Sequence, residues 1–256
     1  MIELKVTKPD IGTKSGAMYF SSTLSDLDFF FFIIDTVLIG DYIPYHAKKT
    51  LELADDLVTE SEVAKSPEEL MQTKPGNRVK KLRKHSQEFI EMIYSRQVDN
   101  FQTYIVNLVR EILKVQPNIL HNNHPHISIA QLLEVESKDE LINEVIENKV
   151  SSLANKGFGH IEEWCKASGI PLTVDRDLKS KLKEFIAIRN IIVHNRCIVD
   201  EKYLRVAPQS KYKKGSIRKL DVDDLYEAIN IFSEIVKHTD KKSIEKFNLE
   251  ESRLNK

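Results

Sequence analysis

The chain has 256 residues, 41% of them hydrophobic and 30% charged, with only eight glycines and eight prolines, a balance that favours helices over a turn-rich β fold. A formal net charge of −1 argues against a protein that coats nucleic acid non-specifically, so any nucleic-acid role must rest on a local patch. Cys165 and Cys197 are too few for a disulfide framework or a Cys-rich zinc site, and read as buried thiols of a reduced, intracellular protein.

The opening stretch "MIELKVTKPDIGTKSG" lacks the apolar core of a signal peptide, and Ile2 to Val6 reads as a short strand. The next segment, "STLSDLDFFFFIIDTVLIGDYIPYHAKKTLELADDL", predicts one or two helices, bent or broken at Gly40 and Pro44. Its run "FFFFII" lies between Asp28 and Asp35, too short and too charged to span a bilayer, which leaves a buried helix and no membrane role. Residues 59–77 are polar, carry Pro67 and the turn pair Pro75-Gly76, and read as a linker or domain edge.

Phe101, Tyr104, Ile105, Leu108, Ile112 and Val115 recur at helical spacing, so an amphipathic helix runs up to Pro117. A loop "HNNHPHIS" (121–128) precedes helices over about 129–149 and 150–167, the second ending near Gly169 and Pro171. Asp175 or Asp177 caps the next helix. The segments "CIVDEKYLRV" and "GSIRKL" then pair as a short β excursion around the basic loop "APQSKYKKG". Asp221 caps a last helix with Val222, Leu225, Ile229, Phe232 and Val236 on one face, and the charged tail from 240 onward is expected to fray. The prediction is an all-α chain in three parts: a helical region over 1–76, a helical domain over 77–240 and a tail over 241–256.

The stretch "FIAIRNIIVHNRC" (185–197) sets an arginine and a histidine among Ile, Val and Phe, company in which such groups seldom stand without a partner. At about 100° per residue, Arg189 falls in the middle of a broad apolar face. Asn190 and His194 share the opposite side with Ala187, and Ile191 lies at its edge. An ordinary reading makes Arg189 one half of an ion pair with a neighbouring helix, and His194 a helix-end histidine favoured by the dipole. The chemical reading is different. A guanidinium is a fixed cationic fork for phosphate, and an imidazole moves protons near neutral pH. Together they suffice to cleave RNA by attack of its own 2′-hydroxyl, with no metal or other cofactor and with a 2′,3′-cyclic phosphate left behind. Roughly 140° separates the two side chains on an ideal helix, so one helix aims them poorly at a single phosphate. A two-fold dimer through Ala187 and Ile191 would bring two pairs to one cleft.

Arg189, Asn190, three apolar residues and His194, late on a long helix, resemble the motif of the HEPN superfamily. The helices around "FQTYIVNLVREIL", "HIEEWCKASG" and "GSIRKLDVDDL" are the supporting context, and the resemblance covers about 85–240. It implies a helical bundle that dimerises through the motif helices and acts as a metal-independent endoribonuclease. Arg189 would stabilise the phosphate, His194 would serve as acid or base, and Asn190 would orient one of them. It further implies a cytoplasmic toxin or antiviral-defence effector, with an antitoxin or defence-system protein as partner. The alternative is a non-catalytic dimerisation or interaction module with Arg189 merely ion-paired. For gripping RNA, Lys211, Lys213, Lys214 and Arg218 follow the motif helix closely, whereas "RVKKLRKH" (78–85) reads as a solvated face. His121, His124 and His126 have no carboxylate or cysteine at ligand spacing, so no metal is expected. His160 reads as structural.

Overall fold

Apolar residues spaced three and four apart along 93–113 make the middle of that sequence a helix with one broad buried face. In the computed structural model, which describes residues 2–55, 76–123, 127, 135 and 137–254 (for 44–50, 51–55, 121–123, 176 and 177 the backbone only), this helix is α3, Ser86–Val115. It follows α1 (Lys14–Asp55) and α2 (Asn77–Lys84). After a 3-10 stretch at Pro117–Asn123 come α4 (Lys138–Lys156), α5 (Phe158–Ala167), α6 (Arg176–Asn195), α7 (Glu201–Val206) and α8 (Val222–Phe247). The only strands among the described residues are β1 (Ile11–Gly12) and β2 (Ser252–Arg253), an antiparallel ribbon. The fold is all-α.

Long-range pairs fix the helix directions. Ser15 meets Glu111, Asp26 meets Arg96 and Asn100, and Asp41 meets the start of α2, so α1 runs antiparallel to α3. Phe101 stacks on Phe232 with ring centroids 4.6 Å apart, and Phe185 meets Phe232 edge-on at 5.6 Å. These three rings join α3, α6 and α8 at the centre of the core. One apolar core takes side chains from all three stretches, 1–76 (Tyr19, Phe20, Leu27, Phe30), 77–240 and 241–256 (Phe247, Leu249, Leu254).

Several local expectations change. Ile2 to Val6 forms no strand. It runs extended along α8, with the Ile2 amide donating to Asp223 and the Lys5 amide to Asn230. Helix α1 continues through Gly40 and Pro44 without a break, because tertiary contacts hold it. Asp41 accepts hydrogen bonds from the Arg78 and Val79 amides at 3.2 and 2.8 Å and so caps α2. The boundary expected at about 150 lies at Gly157, whose φ of 80° ends α4, while Ser137 caps its start through the Glu140 amide. The segment "EKYLRV" is helix, not strand: Asp200 accepts the Tyr203 amide at 2.7 Å and nucleates α7. Only "CIV" and "GSIR" pair, through an Ile198–Ile217 bridge. Over its described residues, to Leu254, the tail is folded onto the body. Helix α8 runs to Phe247, and Leu249 and Leu254 are buried as the chain returns to pair with Ile11. Most of the linker expected at 59–77, with His124, His126 and the start of the helix expected at 129, lies outside the described residues.

The start of α1 is buried, with Thr13 and Ser15 almost inaccessible. Asp240 of α8 accepts from the Thr13 amide at 2.8 Å, the Thr13 hydroxyl at 2.9 Å and the Tyr104 hydroxyl at 2.9 Å. A Cβ at Gly16 would stand 1.9 Å from this carboxylate, so the glycine is needed for the close approach. Burial pushes the Asp240 carboxyl up from its ordinary range, against the hydrogen bonds it accepts. A carboxyl with a raised folded-state pKa binds protons more readily folded than unfolded, so its contribution to stability grows as pH falls from neutral through that pKa. Asp240→Asn, which cannot titrate, should cost about 2 kcal/mol at pH 7. Its deficit against wild type should widen towards pH 4 in denaturant titrations; a constant or shrinking deficit would contradict the assignment.

Candidate functional site

Helix α6 carries the motif. Leu182, Phe185, Ile188 and Ile191 are buried, which turns Asn190, Val193 and His194 outward at its C-terminal half. Arg189 therefore stands at the border of the buried face, not in its middle. Its side chain is 23% exposed, and it is paired to Asp99 of α3: Nε donates at 3.0 Å and Nη2 lies 2.9 Å from the same carboxylate oxygen, Oδ1. The remaining nitrogen, Nη1, contacts the Asn190 side-chain carbonyl at 3.5 Å. His194 is exposed and makes no hydrogen bond or ion pair among the described residues. The structure thus leaves Asn190 and His194 exposed on α6 and Arg189 at the border of its buried face, and identifies as Asp99 the ion-pair partner that the sequence placed only on a neighbouring helix.

The turn that follows is built around two successive left-handed residues. Arg196 has φ 50° and Cys197 φ 60°, conformations that cost a side chain about 1 kcal/mol each. Three hydrogen bonds hold them: Cys197 amide to Ile191 carbonyl at 2.9 Å, Arg218 amide to Cys197 carbonyl at 2.9 Å, and Asn195 Nδ2 to Ile198 carbonyl at 2.7 Å. The result stops the helix at Asn195 and leaves His194 on its last turn. Cys197 itself is buried, and burial followed by its hydrogen bond to Glu91 pushes the thiol up to about 12; burial does the same for Cys165. Neither is a nucleophile near neutral pH.

Ala187 and Ile191, expected to meet a second copy, are 9% and 3% exposed and belong to the protomer's own core. That expectation is corrected, for a physical reason: α6 turns this side onto the body of the bundle and leaves Val193, 51% exposed, outside. Arg218, expected to grip RNA, is a structural arginine. Its side chain is 9% exposed, Nη2 lies 2.9 Å from Asp224 Oδ1, Nη1 donates to the Lys219 carbonyl at 2.9 Å, and the guanidinium covers the Tyr212 ring. Burial opposes its charge, but the hydrogen bond and charge of Asp224 outweigh that and keep it protonated. Lys214 is paired with Glu201, so of the four basic residues Lys211 and Lys213 remain exposed without a carboxylate partner among the described residues. His160 is exposed at the start of α5, and no group of three or more potential metal ligands occurs among the described residues. No helix among them is long and apolar enough to cross a membrane.

Comparison of the chain with protein-family models, curated proteins and solved structures finds no match.

The two kinds of basic residue should behave differently. Arg218→Ala strands Asp224 and unpins the turn after α6, and should cost about 3 kcal/mol in denaturant unfolding. Lys213→Ala should lie within about 0.5 kcal/mol of wild type. Equal effects would contradict the structural role given to Arg218.

Proposed function

We propose that the chain is a metal-independent endoribonuclease of the HEPN type, with Arg189 and His194 as its catalytic residues. The observation that carries the reading is the exposed edge of α6: a proton-transfer group unpartnered among the described residues, five residues along the helix from a fixed cation. Asp99 binds Nε and Nη2 of Arg189 and so orients the fork, which leaves Nη1 and the Asn190 amide turned towards a ligand. Because one helix aims the two side chains poorly at a single phosphate, the proposed site brings the exposed α6 edges of two copies together, so that a phosphate meets a guanidinium and an imidazole in one cleft. His194 then takes the proton of the ribose 2′-hydroxyl, or returns one to the departing 5′-oxygen, while Arg189 balances the charge that builds on phosphorus. Lys211 and Lys213 supply phosphate contacts further along the strand. In this reading the protein acts in the cytoplasm as a toxin or antiviral-defence effector, held in check by an antitoxin or a defence-system partner.

A second reading has a specific observation in its favour. The Arg189–Asp99 pair is what a purely structural arginine makes, and a non-catalytic interaction module would keep it for packing.

Purified protein incubated with total RNA in EDTA separates the two. The ribonuclease reading expects cleavage, a loss of at least about 100-fold in folded Arg189→Ala and His194→Ala, and no rescue by Arg189→Lys, which lacks the planar fork. Asp99→Asn should lower the rate about tenfold while leaving the fold intact, as befits a positioning residue. A wild-type protein without activity, or a folded His194→Ala that cleaves at the wild-type rate, would leave the interaction module as the surviving account.

A further inference from the structure

The stretch "RVKKLRKH" forms most of α2 and the residue that follows it. Arg78, Lys80, Lys81, Arg83, Lys84 and His85 are all exposed, and none has an ion-pair partner among the described residues. Five Lys or Arg in seven residues, within a chain of net charge −1, make a strong local field. At about 100° per residue the cations fall into two rows. Lys80, Arg83 and Lys84 stand on one side and Arg78, Lys81 and His85 on the other, while half-buried Val79 and Leu82 turn inward. In the second row the Arg78 guanidinium leans over Gly40 of α1.

The place of this helix is set by α3 and α6. Arg189 meets Asp99, and Cys197, eight residues further on, meets Glu91, eight residues further back, so the two helices run antiparallel. Continued along α3, the same direction leads off the end of α6 and onto α2. Only His85 interrupts the two helices, and its amide still donates to the Lys81 and Leu82 carbonyls at 3.1 Å. Lys84 therefore stands about 10 Å of helix beyond Glu91, past the turn that follows His194. Arg196 is exposed on that turn, and Glu88 is the one exposed acid between it and α2 along α3.

Two rows of cations fit two rows of phosphates. A single strand offers one row, and proteins that hold it add rings on which its bases stack. Here His85 is the only ring in either row, and Phe89, the next one, is taken up by stacking on Phe30 at 5.0 Å. A paired RNA stem presents phosphates of both strands across its narrow major groove, to be met by charge and shape without reading bases. A lipid surface fits worse. The apolar residues of α2 face inward, and exposed Phe31, Phe32 and Ile39 on neighbouring α1 have Asp28 and Asp35 among them, which anionic headgroups repel.

We infer that α2 is a phosphate-gripping arm for a base-paired RNA stem, held beyond the His194 end of α6. The inference takes RNA as the ligand from the ribonuclease reading, but binding alone tests it.

Fluorescence anisotropy of the full chain in EDTA should compare an RNA duplex of ~16 base pairs with one of its strands alone. Strands 2′-O-methylated throughout keep the A-form and carry no free 2′-hydroxyl, so binding is read apart from cleavage. The duplex should bind at least about tenfold tighter than the strand. Lys80→Ala, Lys81→Ala and Lys84→Ala combined should weaken duplex binding at least about tenfold and flatten its dependence of log affinity on log salt by between about two and three. Lys114→Ala, at the far end of α3, should change neither. Lys84→Glu alone should cost about fivefold, which keeps the test standing should the triple variant lose helix content. A strand that binds as tightly as the duplex, or a duplex affinity indifferent to the α2 changes, would overturn the inference even in a protein that cleaves RNA. Lysine-dependent binding to phosphatidylserine-rich vesicles, without duplex binding, would overturn it too and give α2 to a membrane. Duplex binding through these lysines in a protein that cuts no RNA would support the arm and end the ribonuclease reading.

Discussion

A helix of 42 residues begins inside the protein, and everything else is arranged so that it can. The first N–H groups of a helix have no internal partner and carry partial positive charge, so burying them requires acceptors brought from elsewhere. Two carboxylates provide them. Asp240 takes the Thr13 amide, Glu111 takes the Ser15 amide at 2.7 Å and the Ser15 hydroxyl, and the Thr13 hydroxyl accepts the Gly16 amide at 2.9 Å. Asp240 belongs to α8 and Glu111 to α3, so the cap ties three helices whose residues are far apart in sequence. The device recurs where Asp41 of α1 caps α2.

The candidate site inherits its geometry from this arrangement. With α3 and α8 fixed against α1, the Phe101–Phe232–Phe185 stack leaves one place for α6, and α6 can enter it only with Phe185, Ile188 and Ile191 inwards. That rotation carries Arg189 to the rim within reach of Asp99 and leaves Asn190 and His194 outside. Arg218 then locks the strained turn after His194 onto the start of α8 through Asp224. The polar edge of α6 is thus held from both ends by ion pairs, Arg189–Asp99 and Arg218–Asp224, while Asn190 and His194 stay exposed.

Local signals in the sequence carried the long helices well. The spacing of Phe101, Tyr104, Ile105, Leu108 and Ile112 identified α3, and Asp221 announced α8, where its carboxylate forms a reciprocal cap with Asp224. What sequence could not supply is what depends on distant partners. Gly40 and Pro44 look like breakers until Asp41 and Arg78 are known to hold that stretch from α2. Arg218 and the lysines around it form one basic cluster on paper, and only Asp224 and Tyr212 separate the buried one from the exposed ones. The helical projection placed Arg189 among apolar residues correctly but not its rotation, because the apolar residues of α6 outnumber the positions the core can cover. Val193 and Ala187 show the exchange: the valine lies outside and the alanine inside. The polar group facing Arg189 was legible as a kind, not as Asp99.

The chemistry proposed for this edge makes RNA the source of its own nucleophile, and the ends of the products record whether that is so. Cleavage of one defined oligoribonucleotide, read by mass spectrometry, should leave a 2′,3′-cyclic phosphate or its opened 3′-phosphate opposite a 5′-hydroxyl. The same oligonucleotide with a single 2′-deoxy sugar at the cut should be inert there. Products ending in 5′-phosphate and 3′-hydroxyl, or undiminished cutting at the deoxy position, would mean that water is the nucleophile and would contradict the role given to His194.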